Sequence, residues 1–181
     1  VQQIYGIRVR LDFQQKWRDL ALFNLGIDSK LRGIDLVQLK VKDIANGNLM
    51  QSRAMVIQQK TDRPVQFEIT KATREALANH IKRMCLRATD YLFQSRKDRA
   101  NHLSTRQYHR IVKDWITSID LDPSLYSTHS LRRTKPSLIY KKTKNIRVCQ
   151  LLLGHSKMES TVRYLGAEVD DALEVSEGLD I

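Results

Sequence analysis

From Lys16 to Ile27 the apolar positions Trp17, Leu20, Ala21, Phe23 and Leu25 recur at the spacing of a helix facing a core. Gly26 and Asp28-Ser29 then supply stop and cap signals. Ahead of this segment, Ile4, Ile7, Val9 and Leu11 alternate only weakly, and residues 1–14 predict no definite element. Behind it, Leu31-Arg32-Gly33 leads into IDLVQLKVKDI, a short helix followed by an extended turn. The period then changes to two. Val65, Phe67 and Ile69 alternate with Gln66 and Glu68, so residues 53–59 and 64–69 predict a β-hairpin, with Lys60 to Arg63 as its connection and Pro64 as a stop.

Helical spacing returns over residues 71–86, with Ala76, Leu77, Ile81, Met84 and Cys85 on the apolar side and Thr70 as N-cap. Asp90-Tyr91-Leu92-Phe93 reads as a short buried segment, and SRKDRANH as an exposed loop. Ser104 and Thr105 cap a further helix in which Tyr108, Ile111, Val112, Trp115 and Ile116 share a face, its aromatics belonging to the core. Asp122-Pro123-Ser124 breaks the chain before THSLRRTKPSLIYKKT, where Pro136 predicts a kink or break four residues after Arg132. The pattern predicts one mostly α domain with a small antiparallel β-sheet, an α+β fold. No internal repeat is visible.

Composition adds an electrostatic constraint. The 181 residues carry a net charge of +11, unevenly placed. Residues 167–181 hold six acids and no Lys or Arg, which leaves 31 basic and 14 acidic side chains in the rest. A body so charged attracts a polyanion, with salt-sensitive binding, although a merely solvated basic surface has the same composition. Cys85 and Cys149 lack any metal-ligand spacing and read as reduced core cysteines of a cytosolic protein. No apolar run approaches the roughly 18–20 residues of a membrane span.

The chemistry-bearing residues concentrate late. His129 and Arg132 are three apart and share a helix face. His155 follows Leu153-Gly154, and Tyr164 comes nine residues later. Arg32 and Lys60 stand upstream, each readable in isolation as an ordinary loop cation. Together these groups suit attack on a phosphodiester without a metal. A phenol with pKa near 10 costs about 4 kcal/mol to ionise at pH 7 unless a neighbour takes the proton. Guanidinium groups bind the negative charge of the transition state in bidentate fashion. Arg32 and Arg132 would serve as clamps, His129 and His155 as proton or hydrogen-bond partners, Lys60 as acid and Tyr164 as nucleophile. There is no carboxylate cage for magnesium and no Gly-rich phosphate loop, so no cofactor is expected.

HxxR alone is a weak signal, and LGH followed nine residues on by Tyr a moderate one. The ordered set Arg, Lys, HxLRR, LGH, Tyr over residues 32–164 is strong. With SKLRGIDLVQLKVKDI, QQKTDRPVQFEIT, THSLRRT, LLLGH and STVRYLG, the sequence resembles the catalytic domain of the tyrosine recombinases, the phage-integrase family of DNA breaking-rejoining enzymes. That resemblance implies catalytic residues Arg32, Lys60, His129, Arg132, His155 and Tyr164. It also implies site-specific recombination of double-stranded DNA through a covalent 3′-phosphotyrosine. Arg133 would be a phosphate or structural contact.

The catalytic domain would span residues 1–166. The family's N-terminal DNA-clamping domain has no counterpart here, as in a catalytic fragment or a small single-domain recombinase. Residues 167–181 would form an acidic C-terminal helix or tail that docks on a neighbouring protomer, in a protein that is tetrameric on DNA, monomeric without it, and cytoplasmic, associated with the nucleoid. Two other readings share these residues: a catalytically silent DNA-binding accessory protein, and a type IB topoisomerase.

Overall fold

A computed structural model describes residues 1–165. Its order is α1 (Gln2–Phe13), α2 (Trp17–Ser29), α3 (Gly33–Val37), β1 (Ala45–Asn46), β2 (Leu49–Met50), β3 (Arg53–Gln58), β4 (Arg63–Glu68), α4 (Lys71–Met84), α5 (Thr105–Thr117), α6 (Thr128–Thr143), α7 (Ile146–Leu153) and α8 (Met158–Leu165). The described residues are mostly helical with two small antiparallel sheets, β1–β2 and β3–β4. The second hairpin has the expected place and period. Ala54 pairs with Phe67 and Val56 with Val65, so their side chains share the face turned to the core. Pro64 lies in β4 opposite Ile57, as expected, but the strand begins one residue earlier, at Arg63, expected in the connection and paired with Gln58. Lys60 remains at the tip.

Helix α2 is the central element. Residues Ala21 to Ser29 are all buried, with α4 and α6 packed against it. Gly26 does not stop it: a Cβ there would lie 3.1 Å from the Tyr108 hydroxyl, so the glycine lets α5 come close. The helix ends at Lys30, in the left-handed region with φ 55°. Asp28 caps no helix of its own. Its Oδ2 accepts from the Thr70 amide (2.9 Å), the Thr70 hydroxyl (2.7 Å) and the Thr73 hydroxyl (2.6 Å), serving the start of α4 from another element. Thr70 stands at the N-cap position of α4, but its hydroxyl makes no capping bond.

The aromatic residues of α5 are core, as expected: Trp115 meets Phe23 edge-on at 5.3 Å. Ser104 accepts from the Gln107 amide and caps α5. Three expectations need correction. The stretch 1–14, read as no definite element, holds the helix Gln2–Phe13, whose Ile7 and Leu11 are buried four apart. Cys85 is not in the core: α4 stops at Met84, and Cys85 is an exposed left-handed residue, φ 51°, while Cys149 is buried. Helix α6 runs without a break from Thr128 to Thr143 through Pro136. No helix among the described residues is long and apolar enough to cross a membrane.

Candidate active site

Arg32 lies in extended backbone between the left-handed end of α2 and the first turn of α3. That turn points its side chain at β3, where Nη1 donates to Gln58 Oε1 at 2.5 Å. Asp35, one turn on, is buried, and its Oδ1 accepts from the Gln59 amide at 2.9 Å, which latches the tip of the hairpin to α3. From the other side α6 brings Arg132, 3% exposed, whose Nη2 donates to the Leu153 carbonyl at 2.9 Å. That carbonyl belongs to the last turn of α7. The helix closes at Gly154 with φ 66°, and a Cβ there would sit 2.5 Å from Val65 Cγ2. Glycine therefore permits both the turn and the close approach of α7 to β4, and it delivers His155 next to the arginine.

Helix α8 completes the site by bringing Tyr164 over this group. The His155 and Tyr164 rings meet edge-on at 5.3 Å. The guanidinium carbons of Arg132 and Arg133 lie 5.7 Å and 5.4 Å from the Tyr164 ring centre. His155 Nδ1 is 3.1 Å from the Thr161 hydroxyl, one turn before Tyr164 on α8. Burial, with the nearby charges of Arg132 and Arg32, lowers His155 from 6.5 to about 4, so its imidazole is neutral at pH 7. Burial pushes the Tyr164 phenol above its ordinary value, while Arg132, Arg133 and Arg32 pull it back. The tyrosine is held protonated beside the charges that would stabilise its anion.

Five buried side-chain polar atoms among the described residues make no hydrogen bond, and four belong to this site: Asp35 Oδ2, Gln58 Nε2, Arg132 Nε and the Tyr164 hydroxyl. Each such atom costs about 1–3 kcal/mol when left unpaired. Their concentration in one place is the mark of a site shaped for a polar ligand rather than for stability.

Arg32, Arg132, His155 and Tyr164 thus share one electrostatic neighbourhood. His129, in the first turn of α6, and Lys60, at the tip of the hairpin, are exposed. No hydrogen bond, ion pair or ring contact among the described residues joins either of them to the other four. Gln58 and Asp35 were not among the expected site residues. Both carried a signal. Gln58 occupies a third inward position after Ala54 and Val56, and Asp35 interrupts an apolar run, so each is a polar residue at a core register.

The His155 shift fixes a pH dependence. Unfolded, its pKa is near 6.5; folded, about 4; the unfolded chain therefore binds the extra proton, and stability falls as pH drops through this window. Denaturant titrations at pH 7 and pH 5 are expected to show a smaller difference for His155→Gln than for the parent. An unchanged difference would mean the imidazole is not held neutral. Buried His80, also lowered, contributes in the same direction to both proteins.

A phenol seated among guanidinium and imidazole groups, on a mostly helical scaffold with a hairpin at its edge, defines a tyrosine-recombinase type of catalytic domain. Comparison with known proteins agrees: residues 1–170 match the phage integrase family, and the chain belongs to it. It is 31% identical over 153 residues to the probable integrase/recombinase YoeC of Bacillus subtilis (strain 168), covering 84% of this chain and 80% of that protein. The XerA recombinase superposes with a TM-score of 0.77 at 20% identity, over 98% of this chain and 62% of the other. XerH recombinase bound to its difH substrate, in a pre-cleavage complex, gives 0.74 at 18% identity, over 97% and 52%. At such identities these structures show the fold alone. The chain spans between 38% and 53% of five further curated tyrosine recombinases that it matches.

Proposed function

We propose that this protein carries out site-specific DNA recombination by transesterification through a covalent 3′-phosphotyrosine. The Tyr164 oxygen attacks a backbone phosphorus and loses its proton. The new P–O bond replaces the P–O5′ bond, and the departing 5′ oxygen takes a proton to become a hydroxyl. The reverse attack by a 5′-hydroxyl of another strand restores the phosphodiester and frees the tyrosine, so bond energy is conserved. Arg32 and Arg132 hold the non-bridging oxygens, His155 and His129 supply hydrogen bonds, and Lys60 gives the proton to the 5′ oxygen. Arg133 steadies the nucleophile's ring.

The observation that carries the reading is the burial of Tyr164 against Arg132, Arg133 and His155, beside the unpaired donors Arg132 Nε and Gln58 Nε2. A phosphate's oxygens would accept from both. The excess of 31 basic over 14 acidic side chains before residue 167 suits a DNA partner. Relatives named as recombinases, and a structural neighbour bound to a recombination substrate, support it further.

A nicked duplex tests the reading directly. It carries the protein's recombination site, and its nick lets the cleaved end diffuse away. A covalent protein–DNA adduct is expected. Specific binding with no adduct would favour a silent accessory module, and product from a single DNA site would favour a topoisomerase. In the same assay Lys60→Ala is expected to slow cleavage at least about 10²-fold, as loss of a general acid does. A sulfur-bridged 5′ leaving group, which needs no proton, should restore the rate. Equal impairment on both substrates would remove Lys60 from that role.

Residues 167–181 lie outside the described residues. Their six acids suit docking on the basic body of a neighbouring protomer in a DNA-bound tetramer. Deleting them is expected to prevent assembly of the two-duplex complex in gel-shift assays. Normal assembly without them would exclude that docking.

A further inference from the structure

Three separate stretches of chain carry the groups just described: the end of α2 leads to Arg32, the β3–β4 hairpin holds Gln58 and Lys60, and α6 holds Arg132. One cluster of four charges joins all three. Lys135 Nζ, from α6, is 2.7 Å from Asp28 Oδ1 at the end of α2 and 2.6 Å from Glu68 Oε1 at the end of β4. Lys30, two residues beyond Asp28, reaches Glu68 Oε2 at 2.6 Å with its side chain wholly buried. Asp28 is itself buried and accepts three bonds from Thr70 and Thr73.

Such a cluster is a poor source of stability, because removing four charges from water offsets most of their attraction, and apolar residues pack the same space as well. What charges supply and apolar contacts do not is a defined register between the elements they join. Register matters at this point in α6. Pro136 has no N–H to give the Arg132 carbonyl, so the helix lacks a main-chain bond at the very residue that holds the site's buried guanidinium. Lys135 precedes that proline and sits three residues from Arg132, on the same face.

We infer that Lys135 is a positioning residue: by bridging Asp28 and Glu68 it fixes the spacing between Arg132 on α6 and Arg32 beyond α2, replacing the rigidity that Pro136 removes. The residue touches no reacting atom. Its effect is on the rate of phosphoryl transfer rather than on binding of DNA. This rests on the transesterification reading above, and the experiment separates the two.

Lys135→Met keeps the length of the side chain and removes its charge. Single-turnover cleavage of the nicked duplex at saturating protein is expected to slow about ten- to a hundredfold, the scale of an ångström-level misplacement. Duplex affinity should stay within about threefold, since the phosphate contacts that dominate it are unchanged. Lys135→Arg, which still reaches both carboxylates, should recover part of the rate, and the sulfur-bridged substrate should recover none. A rate within about twofold of the parent overturns the inference, as does a reduced amplitude at unchanged rate, which reports misfolded protein only. Full recovery on the sulfur substrate also overturns it, because the defect would then lie at Lys60. Should Lys135→Met not fold, Glu68→Gln on the half-exposed side of the cluster carries the same expectation with a smaller loss. An adduct absent from the parent protein overturns the transesterification reading itself.

Discussion

Tyr164→Phe is expected to form no covalent adduct on the nicked duplex, a loss of at least about 10⁴ in rate, on the scale of removing the nucleophile from other enzymes. Affinity for the intact duplex should change less than about twofold, because phosphate contacts from the basic body dominate it. The same substitution should leave the thermal midpoint unchanged or raise it. The Tyr164 hydroxyl is buried without a partner, and deleting it removes an unpaired polar atom whose burial costs about 1–3 kcal/mol. Loss of activity with no loss of stability would identify a group kept for chemistry. A drop in stability would mean the hydroxyl holds the structure.

The second large effect belongs to Arg132. Replacing it with lysine keeps the charge and removes the planar fork. Cleavage is expected to fall about 10²- to 10³-fold, the usual consequence of losing one well-placed donor to a transition-state oxyanion. Lysine's three N–H groups diverge from a single nitrogen, so they lack the parallel pair with which the guanidinium can meet two phosphate oxygens while it donates to the Leu153 carbonyl. Arg132→Ala should be worse in two ways, since it also leaves the Leu153 carbonyl unpaired beside Gly154. The measurements are single-turnover cleavage and thermal unfolding on both variants. Equal rates for the arginine and lysine proteins would reduce Arg132 to a point charge.

Much of the scaffold was legible because periodicity reports burial directly. The α5 face, the β3–β4 alternation and the short helix after Arg32 each appear where the spacing puts them. Legibility failed wherever a residue's partner lies far along the chain. Asp28 looked like a local cap signal but accepts bonds from Thr70 and Thr73, more than forty residues away. Gly26 looked like a stop but makes room for the Tyr108 hydroxyl. Cys85 continued an apolar pattern that the helix abandons one residue earlier. Pro136 predicted a break from local sterics alone, whereas the unbroken helix is tied just ahead of it, by Lys135 to α2 and β4 and by Arg132 to α7.

The site divides in the same way. Spacing flagged Arg32, Arg132, His155 and Tyr164, and the fold brings those four together. Gln58 and Asp35 stayed hidden because no spacing rule singles them out. What marks them is a polar side chain at a position whose neighbours in register are buried, a sign that does not by itself say which chemistry it serves. His129 and Lys60, flagged by the same ordered set, stay exposed and outside that group.

Transesterification of this kind leaves one phenol oxygen bonded to a DNA phosphorus. The most direct measurement is mass spectrometry of the trapped adduct after digestion with nuclease and protease. The expected product is a nucleotide joined through its 3′-phosphate to the peptide containing Tyr164, and to no other peptide. Attachment at a different residue, or a cleaved strand with no attached protein, would contradict it.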